Sequence, residues 1–271
     1  MQAYLWLLPV GVAIGVLGTL IGAGGGFLLL PLLLLVYPHE EPEVLTSISL
    51  AVVALNALSG SISYARLQRI DWRAGLIFAG AGLPGAVLGA LTTTVVPRQL
   101  FGGLLGATLL AAAVSLLWRP GSRPLTAPRG QPTPVAAAGG PSVLSVAPGY
   151  VRPLGATLSF AIGYFSSMLG IGGGILHVPA LVRLLRFPVH TATATSHFVL
   201  AVLASGGVLT HVFTGAFHHG ARRTLFLGLG VLVGAPVGAA ISGRVRGDWI
   251  VRALGIGLGL VAVRLLLGAV R

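Results

Sequence analysis

Few side chains in this sequence are equipped for chemistry, and their positions limit what that chemistry is. The chain has seven histidines and no cysteine, which excludes disulfides, thiol catalysis and iron–sulfur ligation. Its five acidic residues, Glu40, Glu41, Glu43, Asp71 and Asp248, all fall near the ends of apolar runs. A cation carrier ordinarily buries a carboxylate within a span, so the pattern disfavours cation transport. His177, His197 and His211 lie within or beside apolar runs. Imidazole is the side chain whose ordinary pKa lies nearest neutrality, which makes these three the candidates for proton coupling; interhelical hydrogen bonding is the plainer alternative. His197 and His211 are fourteen residues apart and share a helix face. His218 and His219 precede Arg222 and Arg223 and read as a solvated loop, with no metal-ligand spacing. Ser205 and His211 are six residues apart on one helix and face different ways, outside the reach that a nucleophile and its base require. The expectation is a protein that is not an enzyme and uses no cofactor or metal.

A second constellation is built from glycine. "GAGGGFLLLP" at Gly22–Pro31 returns as "GIGGGILHVP" at Gly170–Pro179, 148 residues later. Both sit in apolar runs that would measure about 51 Å and 45 Å as straight helices, against a hydrocarbon core of about 30 Å. Each glycine costs a helix about 1 kcal/mol relative to alanine, so three together invite a break. The pattern predicts a helix, an unwound turn, and a half-helix starting near Phe27 or Ile175, with Pro31 and Pro179 about one turn in. A half-helix that begins inside a membrane presents free N–H groups and the positive end of its dipole, a combination that binds anions. Gly24, Gly25, Gly26, Gly172, Gly173 and Gly174 are therefore the candidate ligand-contacting positions. The alternative is that these glycines only let helices approach closely. Thr46, Ser47, Thr195 and Ser196 open the following apolar runs, where a hydroxyl either caps a helix or bonds an oxyanion. His197 is taken with them. Asn56 is mid-span and needs a partner, for which helix–helix bonding is the first choice.

These residues must be positioned by membrane helices. The chain is 55% hydrophobic and 8% charged, where a soluble domain carries about 25% charge. Apolar runs lie at about 3–37, 44–65, 74–96, 99–118, 153–182, 191–214, 224–243 and 249–270. They are continuous rather than alternating, which argues against a β-barrel. The expected fold is an all-α polytopic membrane protein made of two homologous four-segment repeats, residues 1–118 and 153–271. Residues 119–152, rich in proline and glycine, join them as a cytoplasmic linker. A shift of 148 aligns the glycine motifs, and a shift of 149 aligns Thr46-Ser47 with Thr195-Ser196 and Arg73 with Arg222. Duplicated transporters bind substrate where their repeats meet. All seventeen basic residues are arginine, giving a net charge of +12, and most sit between apolar runs. That placement orients a membrane protein and argues against nucleic acid as a partner. With the two arginines near the C-terminus set aside, simple crossing divides the rest nine to six. Doubling back of the first and fifth segments divides them twelve to three. The second split favours broken helices that are re-entrant and repeats that are inverted; simple crossing with parallel repeats is the other arrangement. Arg264, inside the last run, reads as a snorkelling side chain.

Duplicated GxGGGxxxxP motifs, each followed by a small-Thr-Ser pair, resemble the TauE/SafE family of anion and sulfite exporters, also called the sulfonate uptake permease family. The match rests on "GTLIGAGGGFLLLPLL", "SSMLGIGGGILHVPAL" and "TATATSHF", with "VLTSISLA" a weaker one. It covers both halves apart from the linker. The resemblance implies transport of sulfur-containing or carboxylate anions across the cytoplasmic membrane. The expected function is a secondary transporter of sulfite, a sulfonate or a related sulfur oxyanion, working by alternating access, with a passive anion channel as the alternative. Expected partners are the small anion and the lipid bilayer, and a homodimer is compatible with the sequence.

Overall fold

A computed structural model describes residues 4–117, 151–185, 187–242 and 248–270. The linker lies outside the described residues except at its last two positions, which open a helix. Described elements are helical: α1 (Leu7–Ile21), α2 (Gly26–Val36), α3 (Pro42–Arg66), α4 (Trp72–Thr93), α5 (Arg98–Leu117), α6 (Val151–Met168), α7 (Gly174–Pro179), α8 (Val189–Phe213), α9 (Ala221–Ile241) and α10 (Asp248–Val270). A π-helical turn at Ala180–Leu184 and a 3-10 turn at Ala216–His219 complete them. Among the described residues four helices, α3, α4, α8 and α9, are long and apolar enough to cross a membrane.

The chain divides into two compact units. The larger comprises Met1–Thr94 and Pro132–Ser242; the smaller comprises Val95–Gln131 and Gly243–Arg271. In the smaller, α5 packs along α10, and Gly106 makes room for Leu266. Arg264 is exposed on α10.

In the larger unit α3 lies against α8, α1 against α9, and α4 against α6 and α8. The α1–α9 and α4–α6 contacts are seams of backbone on backbone. A Cβ on Gly234 would fall on the Val12 carbonyl, and one on Gly85 on the Phe160 carbonyl. Without hydrophobic drive between helices in lipid, such close approach is what holds them together.

Both over-long runs are broken where the glycines fall. α1 ends at Ile21, with Gly22 in the left-handed region at φ 77°, and α2 starts after Gly25 at φ 84°. α6 ends at Met168, and α7 starts after Gly173 at φ 64°. Each break sets its last positive-φ glycine against the helix that has just ended. A Cβ on Gly25 would stand 2.6 Å from Ile14 Cγ2, and one on Gly173 would stand 2.8 Å from Ser166 Oγ. The two half-helices then differ. Pro31 is absorbed within the eleven residues of α2. After Pro179 the second half-helix widens, and Leu185 donates to the carbonyl of Ala180, five residues back. Proline supplies no N–H and its ring crowds the preceding turn, so the ladder relaxes into a π register there.

Candidate functional site

The two breaks meet at the middle of the larger unit. A Cβ on Gly26 would lie 2.7 Å from the Ile171 carbonyl oxygen, and one on Gly174 would lie 2.5 Å from Ala23 Cα. Residues 22–27 and 169–175 are all buried. Leu28 and Leu29 both donate to the carbonyl of Gly25. No backbone acceptor meets the amides of Gly25, Gly26 and Phe27 among the described residues, as the start of a helix dictates. Substituents at Gly24 and Gly172 would strike Leu200 and Val53 respectively, so glycine there lets α3 and α8 close over the breaks.

Each long helix offers a stripe to the break of the opposite half. On α3, Thr46 stands over Gly170, Ser49 Oγ donates to the Gly170 carbonyl at 2.6 Å, and Val53 reaches Gly172. The spacing of three and four residues puts all three on one face. On α8, Thr193 stands over Gly22 and Leu200 over Gly24; Ser196 lies between them on the same face. This packing matches Thr46 with Thr193, two residues from the register in which Thr46-Ser47 pairs with Thr195-Ser196. The recurring Thr-Ser dipeptide does not occupy equivalent positions in the two contacts.

The hydroxyls thereby separate into two kinds. Ser47 Oγ donates to the Val44 carbonyl at 2.7 Å within its own helix. Thr195 Oγ1 accepts from the Asp71 amide at 3.0 Å and anchors the start of α4, where Asp71 also caps Ala74. Thr46 Oγ1 and Ser196 Oγ are fully buried and have no hydrogen-bond partner. A buried hydroxyl without a partner costs stability, and Ser167 Oγ, just before the second break, is in the same state.

Polar support on one side comes from Asn56. It donates from Nδ2 to the Gly24 carbonyl at 2.9 Å and accepts at Oδ1 from Thr19 at 3.1 Å. Tyr64 donates to the Thr19 carbonyl at 2.8 Å. His197 faces this cluster: its ring stands edge-on to Tyr64, with centroids 5.7 Å apart, against Gly60. It lies near the Gly22 and Asn56 carbonyls, yet neither ring nitrogen makes a hydrogen bond. His177 Nε2 pairs with Ser159 Oγ at 2.9 Å, and His211 Nδ1 lies 3.9 Å from Glu43 Oε1. His197 lies beside the first break, and His177 follows the second, its amide donating to the Gly173 carbonyl at 2.8 Å. Ser49 and Thr193 were not anticipated; the signal for them is helical spacing, three residues after Thr46 and three before Ser196.

Comparison with known proteins bears on this arrangement. The family model described as "Sulfite exporter TauE/SafE" matches residues 7–265. The chain belongs to the TauE/SafE family. Among TauE/SafE-like relatives, a probable membrane transporter protein of Bacillus subtilis, YunE, is 30% identical, with 98% of each chain covered. One from Xylella fastidiosa is 34% identical over 74% of this chain and 68% of its own. One from Methanocaldococcus jannaschii, MJ0441, is 25% identical over 77% and 74%. No solved structure gives a significant match. This TauE/SafE member is accordingly a multi-pass membrane protein of a transporter family.

Proposed function

We propose that this protein is a secondary transporter of a small anion, namely sulfite, a sulfonate or a related sulfur oxyanion, across the cytoplasmic membrane. The observation that carries the proposal is the convergence of the two glycine breaks beside two buried, unpartnered hydroxyls. Gly25 and Gly26 with Gly172 and Gly173 provide backbone amides and the positive ends of helix dipoles, while the amides of Gly24 and Gly174 already meet the carbonyls of Gly18 and Gly172. Thr46 and Ser196 complete the anion's hydrogen bonds, and His197 is placed to carry a proton. His177 and His211 have other neighbours and are the weaker candidates for coupling. The family description, sulfite exporter, supports sulfur oxyanions over other anions.

In this reading the first segment of each half is re-entrant and the repeats are inverted, which the approach of Gly25 to Ile14 and of Gly173 to Ser166 supports. Rocking one repeat against the other would expose the breaks to each side in turn. Tight packing at the centre favours this alternating access over an open anion pore.

A flux screen in proteoliposomes tests the proposal, using sulfite, sulfate, thiosulfate, sulfoacetate and small carboxylates, with and without a pH gradient. Saturable uptake of a sulfur oxyanion is expected. Conductance that rises linearly with concentration would indicate a channel. Wild-type flux from a Gly25→Leu/Gly173→Leu variant would remove the site.

A further inference from the structure

Away from the glycine breaks, a cleft of about 510 Å³ opens on the side of the larger unit between α3, α4 and α8, within the ordinary range for a ligand site. Leu58 and Ile62 of α3, Trp72 and Leu83 of α4, and Val202 and Leu209 of α8 form its walls. Trp72 stands edge-on to Phe198, ring centroids 5.1 Å apart, and is half exposed. The cleft is graded along its length. Ala65 and Trp72 line one end, and their chain neighbours Arg66 and Arg73 are exposed. Neither arginine belongs to an ion pair among the described residues. About one helical turn inside that end lies Ser61, 7% exposed, with no hydrogen-bond partner for its hydroxyl. Beyond it the lining is apolar, relieved by Ser205.

We infer that this cleft is a binding site for an anionic phospholipid of the surrounding bilayer. One acyl chain lies in the cleft, an ester carbonyl accepts from Ser61, and the headgroup phosphate rests on Arg66 and Arg73. Charge complementarity commits the site to this occupant. The loop bearing both arginines falls on the cytoplasmic side whichever way the first segments run, and that leaflet carries the anionic lipids. Aromatic residues such as Trp72 settle at the depth where headgroup meets acyl chain. The inference stands apart from the anion reading, since Leu200 and Val53, which cover the breaks, do not line the cleft.

The test uses the full chain with Trp6, Trp118 and Trp249 replaced by phenylalanine, so that Trp72 alone reports. It is reconstituted in phosphatidylcholine vesicles holding a small fraction of chain-brominated phosphatidylglycerol or, in parallel, chain-brominated phosphatidylcholine. Bromine quenches an indole it touches. The glycerol lipid is expected to quench Trp72 well beyond the choline lipid at equal fraction. Each arginine replaced by glutamine should weaken that preference roughly fivefold, and Arg66→Gln/Arg73→Gln together should erase it. Ser205→Phe, which fills the cleft from α8, should reduce quenching by both lipids. Equal quenching by the two lipids, or a preference that survives loss of both arginines, overturns the inference. Quenching that disappears as protein is crowded relative to lipid would assign the cleft to a second copy of the chain, and also overturns it.

Discussion

At the residue scale the informative contrast is between neighbours that differ in what they already bond. Thr195 holds the Asp71 amide, so Thr195→Val leaves a buried donor unmatched and should cost about 1–3 kcal/mol, read as a lowered melting temperature in detergent. Ser196→Ala removes a hydroxyl with no partner and should leave the melting temperature unchanged or raise it, while sulfite uptake falls. A structural role for both hydroxyls would make the two variants melt alike. Asn56→Leu strands the Gly24 carbonyl and the Thr19 hydroxyl together, and should destabilise by about 2–5 kcal/mol in the same melting assay. Sequence reasoning reached Thr46 and Ser196 through position alone. It could not separate them from Ser47 and Thr195, because which face of α3 or α8 meets a break depends on packing between distant segments. Asn56 was legible as a buried amide in need of a partner, but not as the support of Gly24.

At the element scale the breaks follow from local chemistry, which is why they were legible. Runs too long for the bilayer, three adjacent glycines and a proline one turn on all act within a few residues. The starts at Gly26 and Gly174 fall one residue before the positions the pattern suggested. The π turn after Pro179 was not legible, since Pro31 in the same local pattern is accommodated without one. Nor was the two-residue displacement between the Thr-Ser dipeptides, because register between α3 and α8 is set by Val53 and Leu200 meeting Gly172 and Gly24. The seams between helices lead to a further expectation. Gly234→Leu drives side-chain atoms onto the Val12 carbonyl, and overpacking of this kind costs about 1–3 kcal/mol. Thermal melting should register that loss, whereas Gly80→Ala, with open space around it, should melt as the unaltered chain does.

For the whole molecule, both breaks are closed from solvent, so the proposed transport would need the larger unit to open. Contacts that fasten one end are visible: Arg223 meets Glu40 at 2.7 Å and lies over the Tyr37 ring, and Thr214 donates to Glu43 at 3.0 Å. The Arg223–Glu40 pair is partly exposed, and such pairs are worth about 0–1 kcal/mol, weak enough to break in each cycle. The chain has no cysteine, so Ser196→Cys places one thiol at the centre against a silent background. Membrane-impermeant thiol reagents should label it slowly from either side, and bound sulfite should protect it. Labelling from one side alone would argue against alternating access.

Equilibrium dialysis of labelled sulfite against the purified chain decides whether both breaks serve one anion. A single anion per chain is expected, with Thr46→Val in one half and Ser196→Ala in the other each weakening that same site by roughly tenfold or more. Two anions per chain, each weakened by only one of the substitutions, or one anion indifferent to both, would contradict it.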